Sequence, residues 1–136
     1  MKKVIIIGAT SGIGRALAKL YVQSGYMVGA TGRRAELLKS LKEEFPDNII
    51  TASFDVMGKK NTHHIQTLVD QLGGLDVFIY NSGYGDPSEK LEWPIEERTT
   101  LTNVNGFVES VTYVFNYFLK QGDGQIAAIS SIAANR

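Results

Sequence analysis

Residues 4–14 read Val4-Ile5-Ile6-Ile7-Gly8-Ala9-Thr10-Ser11-Gly12-Ile13-Gly14, and the stretch from Arg15 to Ser24 that follows has helical character. An apolar run, a glycine turn and a helix in that order form the phosphate-binding unit of a dinucleotide fold. Backbone without a Cβ turns sharply, approaches a pyrophosphate closely and lets the helix pack against the strand. The helix N-terminus then offers free N–H groups and a partial positive charge to the anion. The spacing is Gly-x-x-x-Gly-x-Gly, and no Lys-Ser or Lys-Thr pair follows, so the turn points to a nicotinamide dinucleotide rather than a nucleoside triphosphate. Gly8, Thr10, Ser11, Gly12, Ile13 and Gly14 are the first candidate cofactor contacts.

Outward from this unit, apolar or β-rich runs recur at Val4–Ile7, Tyr26–Thr31, Ile49–Phe54, Leu75–Tyr80 and Gln125–Ser130. Most lack strict alternation, as expected of parallel strands covered by helices on both faces. Between them the period becomes helical: Ile13, Leu17, Leu20 and Tyr21; Leu38, Leu41 and Phe45; Ile65, Leu68, Val69 and Leu72. Gly25, Pro46-Asp47-Asn48 and Gly73-Gly74 supply stop signals, and Pro94 suits the first turn of a short helix. The alternation predicts an α/β, Rossmann-like doubly wound parallel sheet of order 3-2-1-4-5 with right-handed crossovers. At 136 residues the chain supports one domain and not two, so residues 1–136 are expected to form a single dinucleotide-binding unit.

Lys plus Arg and Asp plus Glu number 14 each, so no net field draws the chain to nucleic acid or an anionic membrane. The absence of cysteine removes disulfides and thiolate metal sites. His63 and His64 are adjacent and have no carboxylate at ligand spacing, so they read as surface residues and no metal is expected. The apolar run after Lys2-Lys3 is broken at Gly8, too early for a signal-peptide core, and no stretch is long enough to span a bilayer. The expected location is the cytoplasm. From about Thr100 to Gln121 the chain is apolar on more than one side. Such a helix is buried twice, in its own core or, around residues 103–120, against another copy.

Four segments taken together, Gly8–Gly14, Leu75-Asp76-Val77-Phe78-Ile79-Tyr80-Asn81-Ser82-Gly83, Asn103-Val104-Asn105-Gly106 and Ile129-Ser130-Ser131, resemble the short-chain dehydrogenase/reductase family of the classical type. They stand in the family's order across nearly the whole chain. The resemblance implies a nicotinamide-dependent oxidoreductase that interconverts a carbonyl and an alcohol on a small-molecule substrate. Two departures are visible. Tyr80 replaces the first Asn of the family's Asn-Asn-Ala-Gly, and Ile7 stands where Thr is usual. Asn81, Ser82 and Gly83 match the rest of that motif and become candidate cofactor contacts.

Cofactor choice falls to Thr31-Gly32-Arg33-Arg34 at the end of the second strand. An NAD site places a carboxylate here for the ribose 2′-hydroxyl, whereas an NADP site needs space and cations for the 2′-phosphate. Gly32 occupies the carboxylate's position, and the guanidinium forks of Arg33 and Arg34 suit phosphate, so NADP(H) is preferred over NAD(H). The resemblance further implies that Asp55 and Val56 flank the adenine. It assigns Ser131 as the serine that polarises the substrate oxygen, and Asn103 as the asparagine that orients a water in a proton relay. Tyr84, Gly85 and Asp86 border the substrate region without identifying a substrate.

The family's acid/base pair is Tyr-x-x-x-Lys, yet Tyr21, Tyr26, Tyr80, Tyr84, Tyr113 and Tyr117 all lack a Lys four positions on. The sequence ends at Arg136, five positions after Ser131. The expectation is therefore a chain truncated at its C-terminus and inactive alone, with activity belonging to a longer parent. The alternative is a non-catalytic NADP-binding or regulatory protein.

Overall fold

Val4, Ile5, Ile6 and Ile7 are all buried, which a strand with one face in water cannot achieve. In the computed structural model, which describes residues 1–82 and 91–129, they form β1 (Lys3–Ile7) at the centre of a five-stranded parallel sheet. The others are β2 (Met27–Gly32), β3 (Ile49–Ser53), β4 (Val77–Tyr80) and β5 (Gln125–Ala128), in the order β3-β2-β1-β4-β5. Ile7 pairs with Thr31 on one side and Tyr80 on the other, which brings the carboxyl ends of the central strands level.

The β-pleat sends alternate side chains to opposite faces, and this sorts one apolar run into two cores. Val4 and Ile6 join Val28, Ala30, Val77 and Ile79 in the core beneath α1 (Gly12–Gln23) and α2 (Ala35–Glu44). Ile5 and Ile7 join Phe78 and Tyr80 in the core beneath α3 (Asn61–Leu72) and α5 (Phe107–Gln121). Each fully buried Ile contributes about 1.5–3 kcal/mol, so the central strand anchors both layers. The two layers confirm the doubly wound arrangement.

The structure corrects the expected inner face of α1. Ile13 and Leu20 are exposed, while Gly14 and Ala18 are the residues buried against the sheet. The helix axis must come close to β1 for its N-terminus to face the turn, and only small residues fit that contact. In α2 and α3 the expected Leu38, Leu41, Ile65, Leu68, Val69 and Leu72 are buried.

A second difference lies in the stretch read as one helix from Thr100. It is α4 (Trp93–Thr100), a π-helical turn (Leu101–Gly106) and then α5. Such turns insert an extra residue per turn and cluster at functional positions. Here the cause is β4: the buried Tyr80 hydroxyl donates to the Thr102 carbonyl at 2.8 Å, and Gly106 lies against Tyr80 and Val56. Burial, followed by the charge of Asp55, pushes the Tyr80 pKa well up, so it remains a neutral donor. Along α5, Ser110, Val114 and Phe118 turn inward, whereas Val108, Phe115 and Leu119 are exposed, together with Val104 in the π-helical turn. No described helix is long and apolar enough to cross a membrane.

Gly106 makes this packing testable. A Cβ there would stand 2.8 Å from the Tyr80 hydroxyl and 2.9 Å from the Val56 carbonyl. Alanine gains about 1 kcal/mol of helix propensity, but the overpacking costs about 1–3 kcal/mol. Gly106→Ala is therefore expected to lower the unfolding free energy in urea titration; equal or greater stability would contradict the close contact.

Candidate functional site

The strand order reverses on either side of β1, and a cleft opens there between the ends of the strands. Gly8, Thr10 and Ser11 line it from the first turn, Gly32, Arg33 and Arg34 from the second, and Phe54, Asp55 and Val56 from the third. Asn81 and Ser82 line it from the end of β4. Gly12, Ile13 and Gly14 begin α1 directly after Ser11 and do not themselves line the cleft. The structure thus brings together most of the residues expected at a cofactor site. Gly83 and Ser131, like Ser130, Tyr84, Gly85 and Asp86, lie outside the described residues.

The first turn is held from two directions. Gly8 has φ +85°, in the left-handed region that favours glycine, and its carbonyl accepts the Asn81 side-chain amide at 3.0 Å. A Cβ on Gly14 would collide with that same carbonyl. Backbone bonds from Asn81 N to the Ile7 carbonyl and from Ala9 N to the Thr31 carbonyl, both 2.8 Å, continue the clamp. Ser11 caps α1 in an extended conformation without a side-chain bond to the helix. The first-turn N–H groups are therefore not taken by the cap, the arrangement that receives an anion.

Electrostatics concentrate at the second turn. Arg34 donates through Nη2 to Thr10 Oγ1 at 3.2 Å and Ser11 Oγ at 3.0 Å, which draws its guanidinium toward the glycine turn. Arg33 Nη1 stands 3.9 Å from Asp55 Oδ2, a long, half-exposed pair worth little by itself. Asp55 Oδ1 accepts from Met57 N at 2.9 Å, which fixes the carboxylate in its turn. A side chain at position 32 would run into the Thr10 methyl group, so Thr10 would have to shift to admit one. A dinucleotide with an anionic group on its adenosine half fits these residues.

Asn103 is exposed within the π-helical turn, next to the Thr102 carbonyl that Tyr80 holds. His64 stacks on Phe54 with ring centroids 4.3 Å apart, and burial, then the adjacent His63 and Lys60, lowers its pKa. Three cleft residues escaped sequence reasoning: Phe54, Arg98 and Thr102. Phe54 ends an expected strand and was visible by position alone. Arg98 reaches the cleft from α4 and Thr102 from the π-helical turn that follows it, which no local pattern announces.

The Asn81 clamp carries its own test. Asn81→Ala leaves the Gly8 carbonyl without its side-chain donor and is expected to cost about 1 kcal/mol of stability in denaturant titration. No loss in Asn81→Ala would show the bond to be dispensable to the turn.

The family model described as short chain dehydrogenase matches residues 2–136. The NADP-dependent 3-hydroxy acid dehydrogenase YdfG of Salmonella typhi is 32% identical over 136 residues, covering 97% of this chain and 55% of its own length. The protein of the same name from Escherichia coli K12 is 30% identical with the same coverage. Among solved structures, ElxO with NADP bound superposes with a TM-score of 0.89 at 27% identity, covering 99% of this chain and 57% of its own. Serine dehydrogenase from Escherichia coli gives 0.89 at 30% identity, with 98% and 64% covered. The chain spans about half the length of the curated relatives it matches. With the glycine turn, the strand order and a match over nearly its full length, the chain belongs to the short-chain dehydrogenase family.

Proposed function

We propose that this chain is the NADP(H)-binding part of a short-chain oxidoreductase that interconverts a carbonyl and an alcohol on a small molecule. The observation that carries the reading is Gly32 packed against Thr10, with Arg33 and Arg34 on the rim where a carboxylate would otherwise stand. Relatives named as NADP-dependent dehydrogenases support it and do not favour a non-catalytic protein. When bound, the nicotinamide supplies or accepts a hydride.

The backbone of Gly8, Gly12, Ile13 and Gly14 and the N-terminus of α1 hold the pyrophosphate. Arg33 and Arg34 hold the 2′-phosphate through paired N–H donors. Asp55 accepts from the adenine amino group and Val56 packs on the ring. Asn81 keeps the turn in shape, and Ser82 and Gly83 give the cofactor a small-residue wall. Asn103 orients a water for proton relay, and Ser131 donates to the substrate oxygen, so that charge developing there is stabilised. No tyrosine of this sequence has a Lys four positions on, so the pair that would move the carbonyl proton is not supplied by these residues. On this reading these residues bind cofactor without themselves completing the turnover, the protein works in the cytoplasm, and the exposed α5 face pairs with a second copy.

Calorimetric titration tests the reading. NADPH is expected to bind more tightly than NADH, and Arg33→Ala/Arg34→Ala to weaken NADPH by about tenfold or more while leaving NADH within about twofold, since each charged hydrogen bond contributes about 1.5–3 kcal/mol. NADH bound as tightly as NADPH would overturn the cofactor assignment. Light scattering on the same samples reads the pairing, for which a monomer at every concentration is the contrary result.

A further inference from the structure

The turn that carries Asp55 and Val56 is tied to a distant helix. Glu109, on the first turn of α5, accepts through Oε1 from Asn61 Nδ2 at 2.9 Å. Its Oε2 accepts from Thr62 N at 3.1 Å and Thr62 Oγ1 at 3.2 Å. Asn61 is 1% exposed, and its Nδ2 also faces the Val56 carbonyl at 2.8 Å and the Gly58 carbonyl at 3.3 Å. Three oxygens around one amide nitrogen fix the orientation of that amide, because a flip would turn its oxygen toward a carboxylate and two carbonyls. The residue before α3, Lys60, makes no side-chain cap, so the Glu109 carboxylate supplies one from another element. On its other side, the Val56 carbonyl abuts the backbone of Gly106. Val56 is thus held between α3 and the start of α5 and cannot move without breaking one of these contacts.

We infer that Glu109 is a positioning residue for the adenine wall of the cleft, acting through Asn61 on Val56 and its neighbour Asp55. This rests on reading the cleft as an NADP(H) site. Glu109 does not line the cleft. Its function is to make the Asp55–Val56 edge rigid before binding, so that ordering this turn is not charged against affinity. The Oε2 arm caps α3, and the Oε1 arm sets the cleft.

The two arms are separable by experiment. Glu109→Met keeps the length of the side chain and removes both carboxylate oxygens, so Asn61 Nδ2 loses this acceptor and Thr62 N loses its cap. Titration of the whole chain with 2′,5′-ADP, the adenosine half alone, and with NADPH is expected to show both weakened by the same factor, about fivefold or more. Thr62→Val, which removes only the hydroxyl on the Oε2 arm, should remain within about twofold of the parent. Leu72→Ala, a cavity beneath the same helix, separates lost stability from lost positioning and should also leave the affinity for 2′,5′-ADP within about twofold. If Glu109→Met yields no folded protein, Glu109→Ala carries the same expectation. A Glu109 variant that binds 2′,5′-ADP like the parent, or a Leu72→Ala loss as large as that of Glu109→Met, overturns the inference alone. A parent chain that binds neither ligand overturns the cofactor reading and this inference with it.

Discussion

The Gly8 carbonyl accepts the Asn81 side chain and lies where any Cβ on Gly14 would have to be. Three segments far apart in sequence, the end of β1, the start of α1 and the end of β4, therefore meet at one oxygen atom. That contact sets how close α1 comes to the sheet, and this distance decides why Gly14 and Ala18, not Ile13 and Leu20, face the core. It also aims the N-terminus of α1 along the cleft. The helix dipole and the unbonded N–H groups act within about a turn of the helix end, so the aim matters more than the helix's length.

Around this fixed point, the other strand ends supply chemistry in order of their place in the sheet. β2 brings Gly32 and two guanidinium groups, β3 brings a carboxylate held by its own turn, and β4 brings the asparagine of the clamp. The π-helical turn is the counterpart on the far layer. Its geometry is locked by a phenol that burial keeps protonated, so Tyr80 contributes a hydrogen bond and packing rather than proton transfer. Tyr80 therefore spans from the sheet to the helix layer and fastens the turn that carries Asn103.

The fold was largely legible because its information is local. Four consecutive apolar residues, Val4–Ile7, can only be a strand covered on both faces, and the alternation of such runs with helical periods leaves few topologies open. The cleft was legible where glycine and arginine report on their own surroundings, as at Gly8, Gly32 and Arg33. What escaped reading depends on contacts across long sequence separations. Glu109 reads as one more charge on a helix, yet its partners lie 47 and 48 positions away. Thr102 and Arg98 carry no motif; Thr102 sits in an irregular turn fastened by Tyr80, and Arg98 comes from the helix before it. The outward face of α5 was ambiguous for a related reason: Val108 and Phe115 look like core residues until the inward Val114 and Phe118 fill the space.

The central claim is that the glycine turn, the arginine rim and the Asp55–Val56 edge form one dinucleotide site. Amide chemical-shift mapping of the chain during NADP+ titration tests it most directly. The account predicts that the largest shifts fall together on Gly8 to Gly14, Gly32 to Arg34 and Asp55 to Val56, with one common affinity. Shifts confined to the exposed face of α5, or an undisturbed glycine turn at saturating cofactor, would contradict it.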